Sequence, residues 1–242
     1  QWGLPHVFAF HTVGAAKDEL DLGEPESGLR LLTESEIAAG CDHILSGTAG
    51  EKLSIMRHHG CTPDKLSVAP CGVALELFRP LDKTAARKIL GLDDAPTILY
   101  VGRLDKLKGI DRLIEAVSVI NNSDCRLVIV GGDEYSRDTL ERLKRQAAAL
   151  GLAERVRFIG AVPQPQLPFY YSAVDVVAVP SYSETFGMVA LEAVACGTPV
   201  VSADVGAARS IIKEGFSGTV TSENEPAMLA TALTAWLDRS VI

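Results

Sequence analysis

The strongest constraint on this chain comes from short stretches in which almost every residue is apolar or β-branched, such as Thr97-Ile98-Leu99-Tyr100-Val101 and Leu127-Val128-Ile129-Val130. A strand with one wet face alternates apolar and polar residues, whereas an unbroken run is buried on both faces. Only a sheet covered on both sides provides that environment, and helices must do the covering. The chain supplies them in turn. Strands are predicted over 6–10, 43–46, 66–69, 97–101, 126–130, 156–159, 174–179 and 199–202. Between them lie amphipathic stretches over 51–59, 110–120, 137–150 and 188–195. Strand-helix-strand alternation of this kind implies parallel sheets joined by crossover helices, an α/β fold.

Composition narrows the function classes. Lys and Arg total 23 against 31 Asp and Glu, a formal net charge of -8, so the basic footprint of a nucleic-acid binder is missing. No apolar run approaches the ~20 residues that span a bilayer, and no basic-then-apolar leader pattern opens the sequence. The five cysteines are scattered without a Cys-x-x-Cys pair, which favours reduced thiols and a cytoplasmic setting. His58-His59-Gly60-Cys61 could be read as metal ligands, but adjacent imidazoles before a glycine fit a helix end better, and no metal site is expected.

A boundary is expected around 78–82, where Pro80 interrupts the periodicity and a new helix follows over 84–90. Residues 81–242 hold about five strand-helix units, enough for a complete domain, while residues 1–80 hold about three. Gln1 stands where a start methionine would, and the chain opens directly onto a strand. The expectation is therefore that the first domain is incomplete and lacks its front.

Two segments carry most of the chemistry. The first runs from Ser181 to Pro199 and leaves an apolar strand, so it lies at the carboxyl end of a parallel strand, where open α/β sheets bind ligands. Gly187, near a helix start, leaves backbone N–H groups free to face an anion. Glu192 is the one charged residue in an apolar helix and needs a partner, either the hydroxyls of a sugar or a loop amide. Eight residues of helix span ~12 Å, so Glu184 and Glu192 could reach opposite ends of one elongated ligand. In the second segment, 101–109, Gly102 permits a sharp turn while Arg103 and Lys108 set positive charge beside a helix amino terminus. That suits a diphosphate, although pairing with Asp105 and Asp111 in a solvated loop is the plain alternative. Gly131-Gly132 lacks the third glycine of a dinucleotide fingerprint and reads as a turn. His11 and Thr12 end a strand as ligand-facing residues would, and Arg30 with Glu34 has the spacing of a helical ion pair.

Taken together, these residues resemble family 4 of the retaining glycosyltransferases, which have two facing Rossmann-like parallel-sheet domains, the GT-B fold. The likeness rests on Glu184 and Glu192 eight positions apart, on Gly102-Arg103 with Lys108-Gly109, on Pro70-Cys71-Gly72-Val73 with Phe78-Arg79-Pro80, and on His11-Thr12, Lys17, Arg30 and Glu34. It implies that Arg103 and Lys108 hold the diphosphate of a nucleotide-sugar donor. Glu184 and the backbone around Phe186, Gly187 and Met188 would bind the transferred sugar, with His11 beside it. Glu192 would take the ribose hydroxyls, and Gly160-Ala161-Val162-Pro163 would lie near the base. In the inositol-phosphate branch, positions matching Thr12 and Arg30 bind the acceptor's phosphate, so a small phosphorylated acceptor is expected. The implied reaction moves a hexose or N-acetylhexosamine from a nucleoside diphosphate sugar, favoured as a UDP-sugar, with no cofactor and no metal. A non-catalytic nucleotide-sugar binding fragment is the rival reading. Against the family pattern, Ala74 stands where Asp is usual and Ala207 where Gly is usual.

Overall fold

The computed structural model describes residues 3–22 and 25–241. Contacts divide the chain into two compact units, 1–72 with 183–186, and 73–182 with 187–242.

The first unit contains β1 (Val7–Ala9), α1 (Gly14–Asp18), α2 (Gly28–Gly40), β2 (His43–Ser46), α3 (Ala49–His59) and β3 (Leu66–Val68). Its strands form a parallel sheet in the order β1-β2-β3. Phe10, Val13, Ala38, Cys41, Ile44, Ile55 and Leu66 make its core. The helix termini follow local chemistry. Ser27 caps α2 by accepting from Arg30 N, and Thr48 caps α3 by accepting from Glu51 N. The His58-His59 pair ends α3, with Gly60 at φ 65 as its left-handed cap. His59 is buried against the Phe10 ring, centroids 5.3 Å apart, and faces Ser35 Oγ at 3.1 Å. Among the described residues, no three His, Cys, Asp or Glu side chains cluster as metal ligands.

The second unit is a six-stranded parallel sheet with helices on both faces. In chain order it contains α4 (Lys83–Leu90), β4 (Thr97–Val101), α5 (Ile110–Val119), β5 (Arg126–Val130), α6 (Arg137–Ala149) and β6 (Val156–Gly160). There follow α7 (Leu167–Ala173), β7 (Val176–Val179), α8 (Met188–Ala195), β8 (Val200–Ala203), α9 (Ala208–Ile211), β9 (Gly218–Thr221) and α10 (Pro226–Leu237). The unbroken apolar runs are explained by side-chain alternation between two buried faces. Ile98 and Tyr100 of β4 point into a layer with α5, α6 and α10, while Leu99 points into the opposite layer with Phe78, Tyr171 and Ala193.

The sheet exceeds the five strand-helix units expected by one strand. β9 is a short Gly-Thr-Val-Thr run with no apolar stretch to announce it. α10 buries Leu229, Leu233, Trp236 and Leu237 toward α5 and the sheet, but its outer face carries Ala227, Met228 and Ala235, so no amphipathic period marks it. No helix among the described residues is long and apolar enough to cross a membrane.

The strand order β6-β5-β4-β7-β8-β9 positions the site. The chain adds strands in one direction from β4, then returns to its other side with β7. Neighbouring connections diverge there, and the carboxyl ends of the strands beside such a switch point are where open α/β sheets bind ligands.

Candidate functional site

The loops leaving β4, β5 and β6 are stitched in sequence. Gly102 N–H donates to Val130 O at 3.0 Å, and Gly131 N–H donates to Gly160 O at 2.8 Å. The buried Tyr100 hydroxyl holds the β4 loop by donating to Arg103 O at 2.7 Å. A cleft of about 350 Å³ results, lined by Gly102, Arg103, Val162 and, beyond the residues expected, by Gly131, Asp133 and Leu167. Gly131 has φ 132, and a Cβ there would overlap the Gly102 carbonyl oxygen. The Gly131-Gly132 turn is therefore part of the cleft wall, where backbone must approach backbone. Its place at the end of a parallel strand was the signal that could have found it.

Arg103 presents its side chain to solvent, 76% exposed, with Asp105 as ion-pair partner at 3.1 Å. The solvated pair with Asp105 is the plain alternative expected for this loop. Lys108 ends a short 3-10 turn, Lys106–Lys108, directly before α5.

The β4 and β7 loops are fastened to each other within the second unit. Tyr182 N–H donates to Leu107 O at 2.8 Å, Arg112 Nε donates to the Tyr182 hydroxyl at 2.9 Å, and Asn224 Nδ2 donates to Pro180 O. Gly109, at φ 63, lies under Pro180, and a Cβ there would overlap the Pro180 carbonyl and stand 2.9 Å from Asn224 Nδ2.

Gly187, at φ 102, caps α8, which begins at Met188. Glu184 therefore stands in the preceding loop, and the Glu184-to-Glu192 interval is not one helix as expected. The physical reason is that a positive-φ residue cannot continue a right-handed helix. Met188 is partly exposed at the first helical position.

Glu192 is buried, and the group it bonds within the chain is a phenol rather than the loop amide of the plain alternative. The Tyr171 hydroxyl donates to its Oε2 at 2.7 Å. Burial pushes the Glu192 carboxyl above its usual range, and the Tyr171 hydrogen bond pulls it part of the way back. The Cys196 thiol is pushed up to about 11, first by burial and then by the Glu192 charge. Nothing in the spacing of Tyr171 pointed to Glu192, because the two lie on different helices.

In the first unit, Arg30 Nη2 donates to Thr12 Oγ1 at 3.3 Å, so these two expected residues meet. Arg30 also pairs with Glu34 at 2.8 Å, the helical pair anticipated, and with Glu26 at 2.9 Å. Lys17 reaches the same Glu26 at 2.6 Å, and this bond holds the Glu26 carboxyl below its ordinary value. Glu34 accepts from Gly14 N–H at 2.9 Å, satisfying an amide at the start of α1. His11 is exposed just beyond β1. Phe186 is buried on the segment 183–186, which clusters with this unit and also carries Glu184. Glu51, not anticipated, is buried and accepts from Gly47 N–H at 2.6 Å. Burial raises its carboxyl, while the Gly47 amide and the nearby His11 oppose the rise.

The chain is similar to known proteins along nearly its whole length. The family model described as "Glycosyl transferases group 1" matches residues 82–240. The chain is 41% identical over 248 residues to a D-inositol 3-phosphate glycosyltransferase of Acidothermus cellulolyticus, covering 98% of this chain and 55% of the relative. It is 39% identical to D-inositol 3-phosphate glycosyltransferase 2 of Catenulispora acidiphila, covering 98% of this chain and 58% of the relative. The chain thus spans a little over half the length of these relatives. Among solved structures, the sucrose-phosphate synthase of Thermosynechococcus elongatus superposes with a TM-score of 0.87 at 32% identity, covering 100% of this chain and 60% of that one. Anabaena Alr3699/HepE in complex with UDP-glucose gives a TM-score of 0.85 at 25% identity, covering 98% of this chain and 64% of that one.

Proposed function

The chain belongs to the group 1 glycosyl transferases, and from that premise we propose that it serves a retaining transfer of a hexose or N-acetylhexosamine from a UDP-sugar to a small phosphorylated acceptor. The observation that carries the reading is the cleft at the carboxyl end of β4, with a glycine-lined wall and an exposed guanidinium at its rim. Two relatives bear names with a phosphorylated polyol or sugar, and a third was solved with UDP-glucose.

Charge development explains the residue types. As the bond from the sugar to the diphosphate breaks, negative charge grows on the leaving group. Arg103, Lys108 and the amino terminus of α8 supply positive potential there, Arg103 exchanging Asp105 for the diphosphate. Val162 and its neighbours take the base, and Glu192 the ribose. Glu184, with the backbone at Phe186, Gly187 and Met188, takes the transferred sugar, and His11 serves the same group. The departing phosphate oxygen accepts the proton of the acceptor hydroxyl, so no side-chain base is required. Thr12 and Arg30 hold the acceptor phosphate, which competes with Glu26 for Arg30. A cytoplasmic setting fits a donor of this kind.

Calorimetric titration of the chain with UDP, GDP and ADP tests the donor half. UDP should bind best, and Arg103→Ala should weaken it by about tenfold or more, the loss of one charge-assisted contact. Equal UDP affinity in wild type and Arg103→Ala would remove the assignment. For the parent enzyme, undiminished transfer by a Glu184→Gln variant would do the same for the transfer step.

A further inference from the structure

We propose that Tyr171 is a positioning residue for the donor: it locks Glu192 so that the carboxylate presents its free oxygen to the ribose hydroxyls, and the pair distinguishes a ribonucleotide from a deoxynucleotide. The proposal rests on the donor reading above and adds to it a residue that no motif contains.

Tyr171 has no freedom to do anything else. It is fully buried on α7. Its carbonyl accepts from Thr198 Oγ1 at 2.7 Å, and its ring packs against Phe78 with centroids 6.2 Å apart and planes tilted by 58°. The single phenolic proton is committed to Glu192 Oε2 at 2.7 Å. Glu192 Oε1 accepts no bond from the described residues, and it is not among the sealed, unpaired atoms of the interior. With one oxygen held by Tyr171, rotation of the carboxylate is restricted and its other oxygen is left as an acceptor. Vicinal hydroxyls are donors that suit such an acceptor, whereas a deoxyribose has fewer to offer.

The pair also sets the protonation state. The titratable groups facing Glu192 are Tyr171 from α7 and Cys196 from its own helix, and neither brings positive charge. Only the phenolic hydrogen bond opposes burial in keeping Glu192 ionised. A neutral carboxyl would spend one oxygen as a donor and lose its match to the ribose.

The test compares UDP with 2′,3′-dideoxy-UDP by calorimetry on wild type and Tyr171→Phe, with thermal melting as the check on folding. Wild type should prefer UDP by about tenfold or more. Tyr171→Phe should lose most of that preference through weaker UDP binding alone. A preference of wild-type size in Tyr171→Phe overturns the proposal and leaves the donor reading intact. Equal weakening of both nucleotides, as a merely structural role would give, also overturns it. A wild-type chain that binds UDP without preferring it removes the ribose assignment of Glu192 and the proposal together.

Discussion

Replacing Gly109 by alanine tests whether the two loops at the switch point depend on backbone contact. Two costs add. The residue sits at φ 63, and an L-residue in that region costs about 1–2 kcal/mol. The new Cβ would also overlap the Pro180 carbonyl and crowd Asn224 Nδ2 at 2.9 Å, so the β7 loop must move or the Asn224 bond must break. Overpacking of this kind adds about 1–3 kcal/mol. The sum is about 3 kcal/mol, which lowers Tm by roughly 6–12 °C in a chain of this size. Gly215 supplies the control. It has φ 71 with nothing within 4 Å of its would-be Cβ, so Gly215→Ala carries only the conformational cost, roughly 2–8 °C and less than Gly109→Ala by the overpacking contribution. Thermal unfolding of both variants reads the difference directly, and UDP titration of Gly109→Ala should show weakened binding because Lys108 and Pro180 shift together. Equal melting losses for the two variants would refute the close-approach argument.

Three further outcomes follow from the same geometry. Glu192→Gln should raise Tm by a few degrees at neutral pH while weakening UDP: with a raised carboxyl in the fold, stability is full below the ordinary value of 4.5 and declines as pH rises, so the ionised group is a cost that Gln removes; a lowered Tm contradicts this. Asp175→Ala should cost about 2–3 kcal/mol, because it leaves the buried Thr97 amide without its acceptor (2.7 Å) and removes the carboxylate that Arg87 (3.5 Å) and the partly exposed Lys83 (2.6 Å) pair with; Asp175 lies at the amino end of β7, away from the cleft, so UDP affinity should not change. For Glu26, Lys17 lowers the folded value, so its stabilisation is present above the ordinary 4.5 and is lost as pH falls through the lowered value. With Lys17 and Arg30 about a third exposed, the effect should be about 1 kcal/mol or less. Melting curves of wild type and Glu26→Gln should therefore converge on acidification, and a constant gap would count against the assignment.

The site was legible in the sequence where one local segment carries the whole instruction. Val101-Gly102-Arg103 leaves a strand that cannot be wet on either face, so its carboxyl end had to be a loop at the sheet's edge, and Arg103 and Gly102 duly line the cleft. Thr12 and Arg30, eighteen positions apart, could be paired only through the resemblance, and the structure joins them through one hydrogen bond. Gly131 was visible as a turn but not as a wall, since its necessity comes from the Gly102 carbonyl.

What the sequence alone determined is the class of fold and the position of most elements: both-face burial writes itself as unbroken apolar runs, and Gly60 after the His58-His59 pair marks a helix end within a few residues of chain. Only the tertiary structure decided strand order, the pairing of Tyr171 with Glu192, and the burial of Glu51. Those depend on groups distant along the chain, each of which meets its partner only after the sheet has brought separate helices and loops together. The apolar helix α10 and the short strand β9 belong there too, because no periodicity of their own records which face their neighbours bury.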